Sequence, residues 1–438
     1  LRTQNYRQGR HALLMDLKPE SHGLWDATAP APPETSALDR EVETTVAIVG
    51  GGFTGMSAAL HLSEAGISVA LVEANEIGFG GSGRNAGLVN PGFWLPLPDM
   101  IKALGQDAAE RMIDDLGNAP SIVYDLIAKH GIECEAVNNG NLHMAHSPSG
   151  YADLAARCEE WSKRGAPVEM FDKTTAASMT GTKAYHGAMI DRRAGTIQPL
   201  AYVRGLAHAA VRNGVQVFTQ SPATSIAHNG DKWAIKTPSG QLSAEKLLIA
   251  TGGYGESAEQ ARHSTVPYFY FQCATKPLSH NILAEILPEK QGTWDTHPVL
   301  RSFRLDAGGR LIFGSIGKLD AGGGMHKSWA TRRMRLMFPQ IPDDDWGEAW
   351  YGRIAMTKDH LPRLKEVGPD GIAIYGYNGR GIGPGTVFGR TIAKYFETGD
   401  ASALPFPFTP GASESLVAIR GGAIEFGARA FHTIDGWL

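Results

Sequence analysis

Gly50, Gly52 and Gly55 stand in the spacing Gly-x-Gly-x-x-Gly, and Glu73 follows 18 residues after the last of them. Residue types in that pattern can handle a dinucleotide. Gly50 permits a tight turn, Gly52 lets the backbone approach a pyrophosphate, and Gly55 lets a helix close on a strand. A helix that opens there, with Phe53 and Thr54 in its first turn, presents free N–H groups to phosphates. A carboxylate about 20 residues further on accepts hydrogen bonds from a ribose. The competing reading is a glycine-rich turn in an ordinary α/β domain.

The elements that must position these residues are visible around them. A β-branched run at 45–49 leads into the glycines, a helical pattern covers 53–65, and an apolar run at 68–72 ends on Glu73. Strand, helix and strand make a complete βαβ unit. Residues 77–87 contain five glycines and must bend sharply or approach something closely. Residues 247–253, Leu-Leu-Ile-Ala-Thr-Gly-Gly, read as a buried strand ending in a glycine turn. A further strand at 372–375 runs into a glycine loop at 376–385, and a helix is expected over 386–396.

Between these lie helical patterns at 121–130, 152–163 and 200–213, and short strands at 142–144, 215–218, 224–227 and 233–236. Alternating strand patterns at 268–274, 299–305 and 310–314 suggest a mixed sheet in a second domain, and a terminal helix is expected after 411. The fold class read from this is α/β: a Rossmann-type nucleotide-binding domain with an inserted mixed-sheet α+β substrate domain. The expected division is an N-terminal arm at 1–40, nucleotide-binding segments at 41–100, 191–257 and 350–400, substrate segments at 101–190 and 258–349, and a C-terminal extension at 401–438. The arm, rich in Pro and Ala at 29–33, is expected to lie extended on the surface, with Trp25 as its anchor.

Composition narrows the function classes. The chain has 438 residues, 42% of them apolar and 20% charged, with a net charge of −4. That balance gives no drive toward nucleic acid or an anionic membrane. No run reaches the roughly 18 apolar residues of a membrane helix, and no signal-peptide pattern opens the chain. Since it begins at Leu1, at least an initiator Met is expected to have been trimmed. Cys134, Cys158 and Cys273 are far apart and in no metal-ligand or Cys-x-x-Cys spacing, so no metal is expected and a reducing cytoplasm fits.

The arrangement resembles the D-amino-acid oxidase/glycine oxidase superfamily of FAD enzymes, within it the γ-glutamylputrescine oxidase-like branch. The resemblance rests on the 50–55 fingerprint with Glu73, the loop Gly81-Ser82-Gly83-Arg84-Asn85-Ala86-Gly87, the strand 247–253, the stretch 350–362, and the loop 376–385. Residues 88–94 are similar to L-pipecolate oxidase-like members. The resemblance implies bound FAD, oxidation of a C–N bond by hydride transfer to flavin, and an imine product. The substrate would be a small amine or secondary amino acid such as L-pipecolate, or else a γ-glutamylputrescine-type amine. The acceptor of the electrons would be oxygen or an electron carrier. It further implies flavin contacts from Gly81, Ser82, Arg84, Asn85, Ala86, Gly87, Leu88, Thr251, Gly252, Gly379, Arg380, Gly381, Ile382, Gly383 and Thr386. The helix after Gly385 would point its positive end at the flavin.

Where covalent flavoproteins of the superfamily carry a Cys or His, this chain has Gly352 and Gly83-Arg84, so FAD is expected to be noncovalent. Where sarcosine oxidases hold the substrate carboxylate with a lysine, Gly383 stands. Lys318 is the candidate for a lysine that activates oxygen. Arg304, Arg84 and Arg380 are candidates for a guanidinium that holds a carboxylate. Tyr268, Tyr270, Phe271 and Trp94 are candidates for the amine pocket, and His360 for tuning the ring. Two other readings stay open: an NAD-linked dehydrogenase on the same βαβ unit, and a non-catalytic or RNA-modifying flavoprotein.

Overall fold

The structure is a computed structural model that describes residues 21–255, 265–320, 323–341, 346–409 and 416–435. Residues 1–20 of the expected arm, the expected boundary at 257/258 and parts of the expected C-terminal extension (410–415 and 436–438) lie outside the described residues.

The first sheet grows from the βαβ unit. Its parallel strands run in the order Gly371–Tyr375, Gln241–Ile249, Glu41–Val49, Val69–Val72, Gln216–Phe218. Ile48 sits between Leu248 and Leu71 in register. Because strand side chains alternate, Val46 and Ile48 enter one core while Ala47 and Val49 enter another. Both faces are therefore covered, as a parallel sheet requires. Helices Phe53–Glu64, Pro199–Arg212 and Ile382–Thr398 build the first core. The antiparallel ribbon Ser225–Asn229 and Lys232–Lys236 covers the other with Trp233 and Ile235. Arg363–Gly368 adds an antiparallel edge.

The second sheet has eight strands in the order Trp346–Met356, Val266–Thr275, Leu311–Ile316, Arg301–Leu305, Gly292–Asp295, Asn141–Met144, Gly187–Asp191, Val168–Asp172. It is antiparallel except where Gly292–Asp295 pairs with Asn141–Met144. Chain from before and after the middle of the first sheet thus meets in one second sheet.

Pro30, Ala31 and Pro32 are exposed, and Trp25 is a buried point of this segment: its Nε1 donates to the Asn85 carbonyl at 3.0 Å. Two features differ from the sequence reading. Trp346–Met356 belongs to the second sheet, so the chain returns to the first sheet at Arg363–Gly368 rather than at 350. Helix Gly324–Met337 occupies a stretch read only as strands. Its buried His326, Trp329, Ala330, Met334 and Met337 keep helical spacing, but Lys327, Arg332, Arg333 and Arg335 between them obscure the period. With Val417–Ile434 it packs against the second sheet. Among the described residues, no helix is long and apolar enough to cross a membrane.

Candidate active site

The site forms at the carboxyl ends of Glu41–Val49, Val69–Val72 and Gln241–Ile249, and the order of strands reverses between the first and the last of these. Gly50 has φ +113°, and a Cβ there would lie 2.7 Å from the Ala250 carbonyl oxygen. A Cβ on Gly55 would stand 2.0 Å from the Gly50 carbonyl oxygen, so only glycine lets helix and turn pack this closely. The Phe53 N–H at the helix start donates to Ser82 Oγ at 3.0 Å, which ties the first loop to the second. Glu73 Oε2 accepts from the Gly51 N–H at 2.7 Å and Oε1 from the Asn75 N–H at 3.0 Å. Burial holds the Glu73 carboxyl above its usual range, against those hydrogen bonds.

Asn85 shapes the second loop. Its Nδ2 donates to the carbonyls of Gly81 and Ser82 at 3.0 and 2.8 Å, and its Oδ1 accepts from the Gly87 N–H at 2.9 Å. The Arg84 carbonyl accepts from Gln272 Nε2 at 2.9 Å and Trp350 Nε1 at 3.2 Å. A Cβ on Gly352 would come within 3.0 Å of Arg84 Cβ. The 350–352 stretch therefore clamps the second loop from the second sheet.

The third loop is fastened to the first helix. Thr54 Oγ1 and Tyr377 OH are 2.6 Å apart, and Ser57 Oγ donates to the Thr386 carbonyl at 2.7 Å. Helix Ile382–Thr398 starts four residues before the sequence reading placed it, inside the glycine loop. Its N-terminus is thereby brought to the site.

These loops enclose a cavity of about 660 Å³. Gly50, Gly52, Phe53, Thr54 and Glu73 line one stretch, and Gly81, Ser82, Arg84, Asn85, Ala86 and Leu88 the next. Thr251, Gly252, Gly379, Arg380, Gly381, Ile382 and Gly383 complete the glycine-rich part. A Cβ on Gly252 or Gly381 would meet no protein atom within 4 Å, so it would take up cavity space. A half-buried carboxylate, close-packed glycines and a helix N-terminus along one cavity fit a bound dinucleotide. The cavity is also lined by Trp94, Tyr268, Tyr270, Trp294, His297, Ser302 and His360. Tyr270 OH and Ser302 Oγ are 2.7 Å apart, and burial raises the phenol's pKa. Burial pushes His297 down to about 3, which keeps its imidazole neutral.

Other expected site residues stand outside the lining. Gly55 and Thr386 pack behind it. Gly87, with φ +74°, is pressed between the Ile197 carbonyl and Arg304. Arg304 Nη1 donates to the carbonyls of Ile197, Gly87 and Ala86 at 2.6, 3.3 and 3.4 Å. Its donors thus brace the second loop from behind. Lys318 Nζ pairs with Asp320 at 3.2 Å and sits 5.1 Å over the Phe269 ring. Phe271 is buried in the second sheet's core.

Arg380 is placed differently. Its guanidinium lies 4.5 Å over the Trp94 ring and 5.0 Å over the Trp294 ring. Nη1 donates to the Pro91 carbonyl at 2.8 Å, while Nε has no partner. No carboxylate pairs with it among the described residues, and burial pushes its pKa down to about 9. Trp294, His297 and Ser302 were not found from sequence. They come from the second sheet, where no local motif marks them.

A family model described as "FAD dependent oxidoreductase" (DAO) matches residues 45–395. The probable oxidoreductase OrdL of Rhizobium meliloti is 31% identical over 377 residues, covering 85% of this chain and 87% of that protein. Gamma-glutamylputrescine oxidoreductase of Escherichia coli is 28% identical, covering 90% of this chain and 94% of that one. The crystal structure of glycine oxidase from Geobacillus kaustophilus shares the fold, with a TM-score of 0.69 at 21% identity, over 84% of this chain and 99% of that chain.

Proposed function

The chain belongs to the DAO family of FAD dependent oxidoreductases, and we propose that it oxidises the C–N bond of a small amino acid whose carboxylate is held by Arg380. Membership of an FAD-dependent family sets aside the NAD-linked alternative. The observation that carries the proposal is the buried Arg380 guanidinium, which lines the same cavity as the dinucleotide cradle and has no carboxylate partner among the described residues. A buried cation without a counter-ion is costly, and an anionic substrate would supply one.

Glu73 and the N-terminus of Phe53–Glu64 would hold the ribose and pyrophosphate of FAD, and the N-terminus of Ile382–Thr398 would face its ring system. Bound FAD supplies a two-electron acceptor for hydride from the carbon beside nitrogen. Arg380 orients the carboxylate, and Tyr268, Tyr270 and Trp94 wall the chamber against water. The neutral His297 leaves the chamber without a second cation there to repel a protonated amine. We assign Arg304 to the scaffold, because its hydrogen bonds go to loop carbonyls. FAD is held without a covalent bond in this reading. None of the three cysteines lines the cavity, and burial raises Cys134 and Cys273 to about 12. A reducing cytoplasm is the proposed location, supported by three free cysteines.

L-pipecolate, a secondary amino acid, fits the Arg380 reading. A γ-glutamylputrescine-type amine is the second reading, supported by the Escherichia coli relative and by a further cavity next to the first. The test compares L-pipecolate with piperidine, which lacks only the carboxylate. Wild-type enzyme should favour the acid by about a hundredfold in kcat/KM, the range of a buried charge-assisted pair, and Arg380→Ala should remove most of that preference. Equal discrimination in both proteins would contradict the assignment.

A further inference from the structure

The N-terminal segment meets the glycine loops through one imidazole. His22 is 0% exposed and stands just before helix Leu24–Thr28, ahead of the family-matched residues 45–395. Its ring faces hydrogen-bond acceptors at both nitrogens. Nδ1 lies 3.0 Å from Asp26 Oδ1 and 3.5 Å from Glu76 Oε1. Nε2 lies 3.2 Å from the Phe79 carbonyl oxygen and 3.3 Å from the Gly78 carbonyl oxygen. A Cβ on Gly83 would come within 2.8 Å of His22 Cδ2, so the ring is seated directly against the second loop.

A carbonyl oxygen and a carboxylate can only accept. A neutral imidazole carries one N–H, so it would turn a lone pair toward one set of these acceptors. An imidazolium donates to both sets. The carboxylate side agrees with this. Burial opposes ionisation of Asp26, yet hydrogen bonds from His22 hold its carboxyl below the usual range. Asp26 Oδ2 also accepts from the His22 backbone N–H at 2.8 Å, which fixes the carboxylate beside the ring. The charged groups around the ring come from three elements. They are Asp26 on helix Leu24–Thr28, Glu76 in the turn that opens the second loop, and Arg204 on helix Pro199–Arg212, 3.8 Å from Glu76. Two carboxylates and one guanidinium leave one negative charge, which an imidazolium balances.

The carbonyls that His22 holds belong to the cofactor cradle. The Gly78 N–H donates to the Gly51 carbonyl at 3.0 Å, which joins the second loop to the first. Phe79 lines the cavity, with the Arg84 guanidinium 4.4 Å over its ring and Tyr254 edge-on at 6.3 Å. Trp25 holds the other end of the same loop through the Asn85 carbonyl. We propose that His22 is a positioning residue for FAD: as an imidazolium it pins the second loop to helix Leu24–Thr28, and FAD is held more tightly while that proton is in place. This rests on the reading of the glycine loops as the FAD cradle, and not on the identity of the substrate. Proton and cofactor then favour each other by linkage. The sign follows from the contacts. As pH rises the proton is lost, one of the two sets of hydrogen bonds is given up, and FAD affinity falls.

The test is the Kd of FAD for the full chain, titrated with FAD from about pH 6 to about pH 9, around the range in which imidazoles change charge. Wild type should bind FAD at least about tenfold more weakly at the alkaline end, the effect of one pKa unit of linkage. His22→Gln keeps one donor and does not titrate, so it should bind weakly throughout with a flat profile. Asp26→Asn keeps the side chain's shape and removes a charge that holds the proton, so its fall should begin at lower pH than in wild type. Circular dichroism at each pH checks that the variants are folded. A flat wild-type profile, or the wild-type profile retained in His22→Gln, would overturn the pin. If His22→Gln does not fold, Asp26→Asn decides, and an unmoved profile there overturns it. If wild type binds FAD tightly at every pH, the cradle stands and the pin falls. If no protein binds FAD at any pH, the cradle reading fails and the pin with it.

Discussion

Arg380 and Arg304 are both buried guanidinium groups, yet they differ in what they can do. Arg304 is enclosed by carbonyls, whereas Arg380 lies over the Trp94 and Trp294 rings with Nε unpaired. The consequence is a difference in ligand binding: a non-oxidised carboxylate, followed by flavin absorbance, should bind at least about tenfold more weakly to Arg380→Ala than to wild type, because the guanidinium stays charged and supplies the ion pair. Equal affinity in the two proteins would contradict it. At this scale the sequence was legible where the constraint is local: Gly50, Gly52, Gly55 and Glu73 act through chain neighbours and short spacings. Arg304 and Arg380 could not be told apart, because the difference lies in which distant carbonyls and rings surround each one.

Glycines also set how closely the elements approach. Gly389, on helix Ile382–Thr398, packs where a Cβ would lie 2.7 Å from Ser57 Cβ and from the Thr54 carbonyl oxygen. Gly389→Val should push this helix off Phe53–Glu64, cost about 1–3 kcal/mol as overpacking does, and weaken FAD binding. A thermal melt and an FAD titration measure both. Gly427 is the control, because an added Cβ meets nothing within 4 Å in helix Val417–Ile434. Gly427→Ala should hold or raise stability, by up to about 1 kcal/mol. The βαβ unit was legible because period and punctuation agree there. Helix Gly324–Met337 was not, since its arginines blur the apolar stripe. Strand Trp346–Met356 carries motif residues that touch the second loop, so its membership of the other sheet could not be read from the motif.

Across the whole molecule, the cofactor cavity is assembled from segments near residues 50, 82, 251 and 380. FAD would therefore add a further bridge between chain segments joined by strand pairing and a few hydrogen bonds. Its removal should lower the melting temperature, and excess FAD should restore it: a hundredfold excess over Kd is worth about 2.7 kcal/mol. An apoprotein that melts at the holoprotein's temperature would argue against this bridging role. The two-part second sheet was anticipated, because nucleotide-binding signals recur at the start, middle and end of the chain. The wall between the two cavities was not, because it joins Trp94, Arg380 and Trp294 from three distant segments. The most direct test of the central claim is an anaerobic visible spectrum of the purified protein, titrated with L-pipecolate, L-proline, sarcosine and γ-glutamylputrescine. The account predicts a yellow protein whose flavin band bleaches with at least one of them. A protein that stays colourless with added FAD, or a flavin band that none of them bleaches, would contradict it.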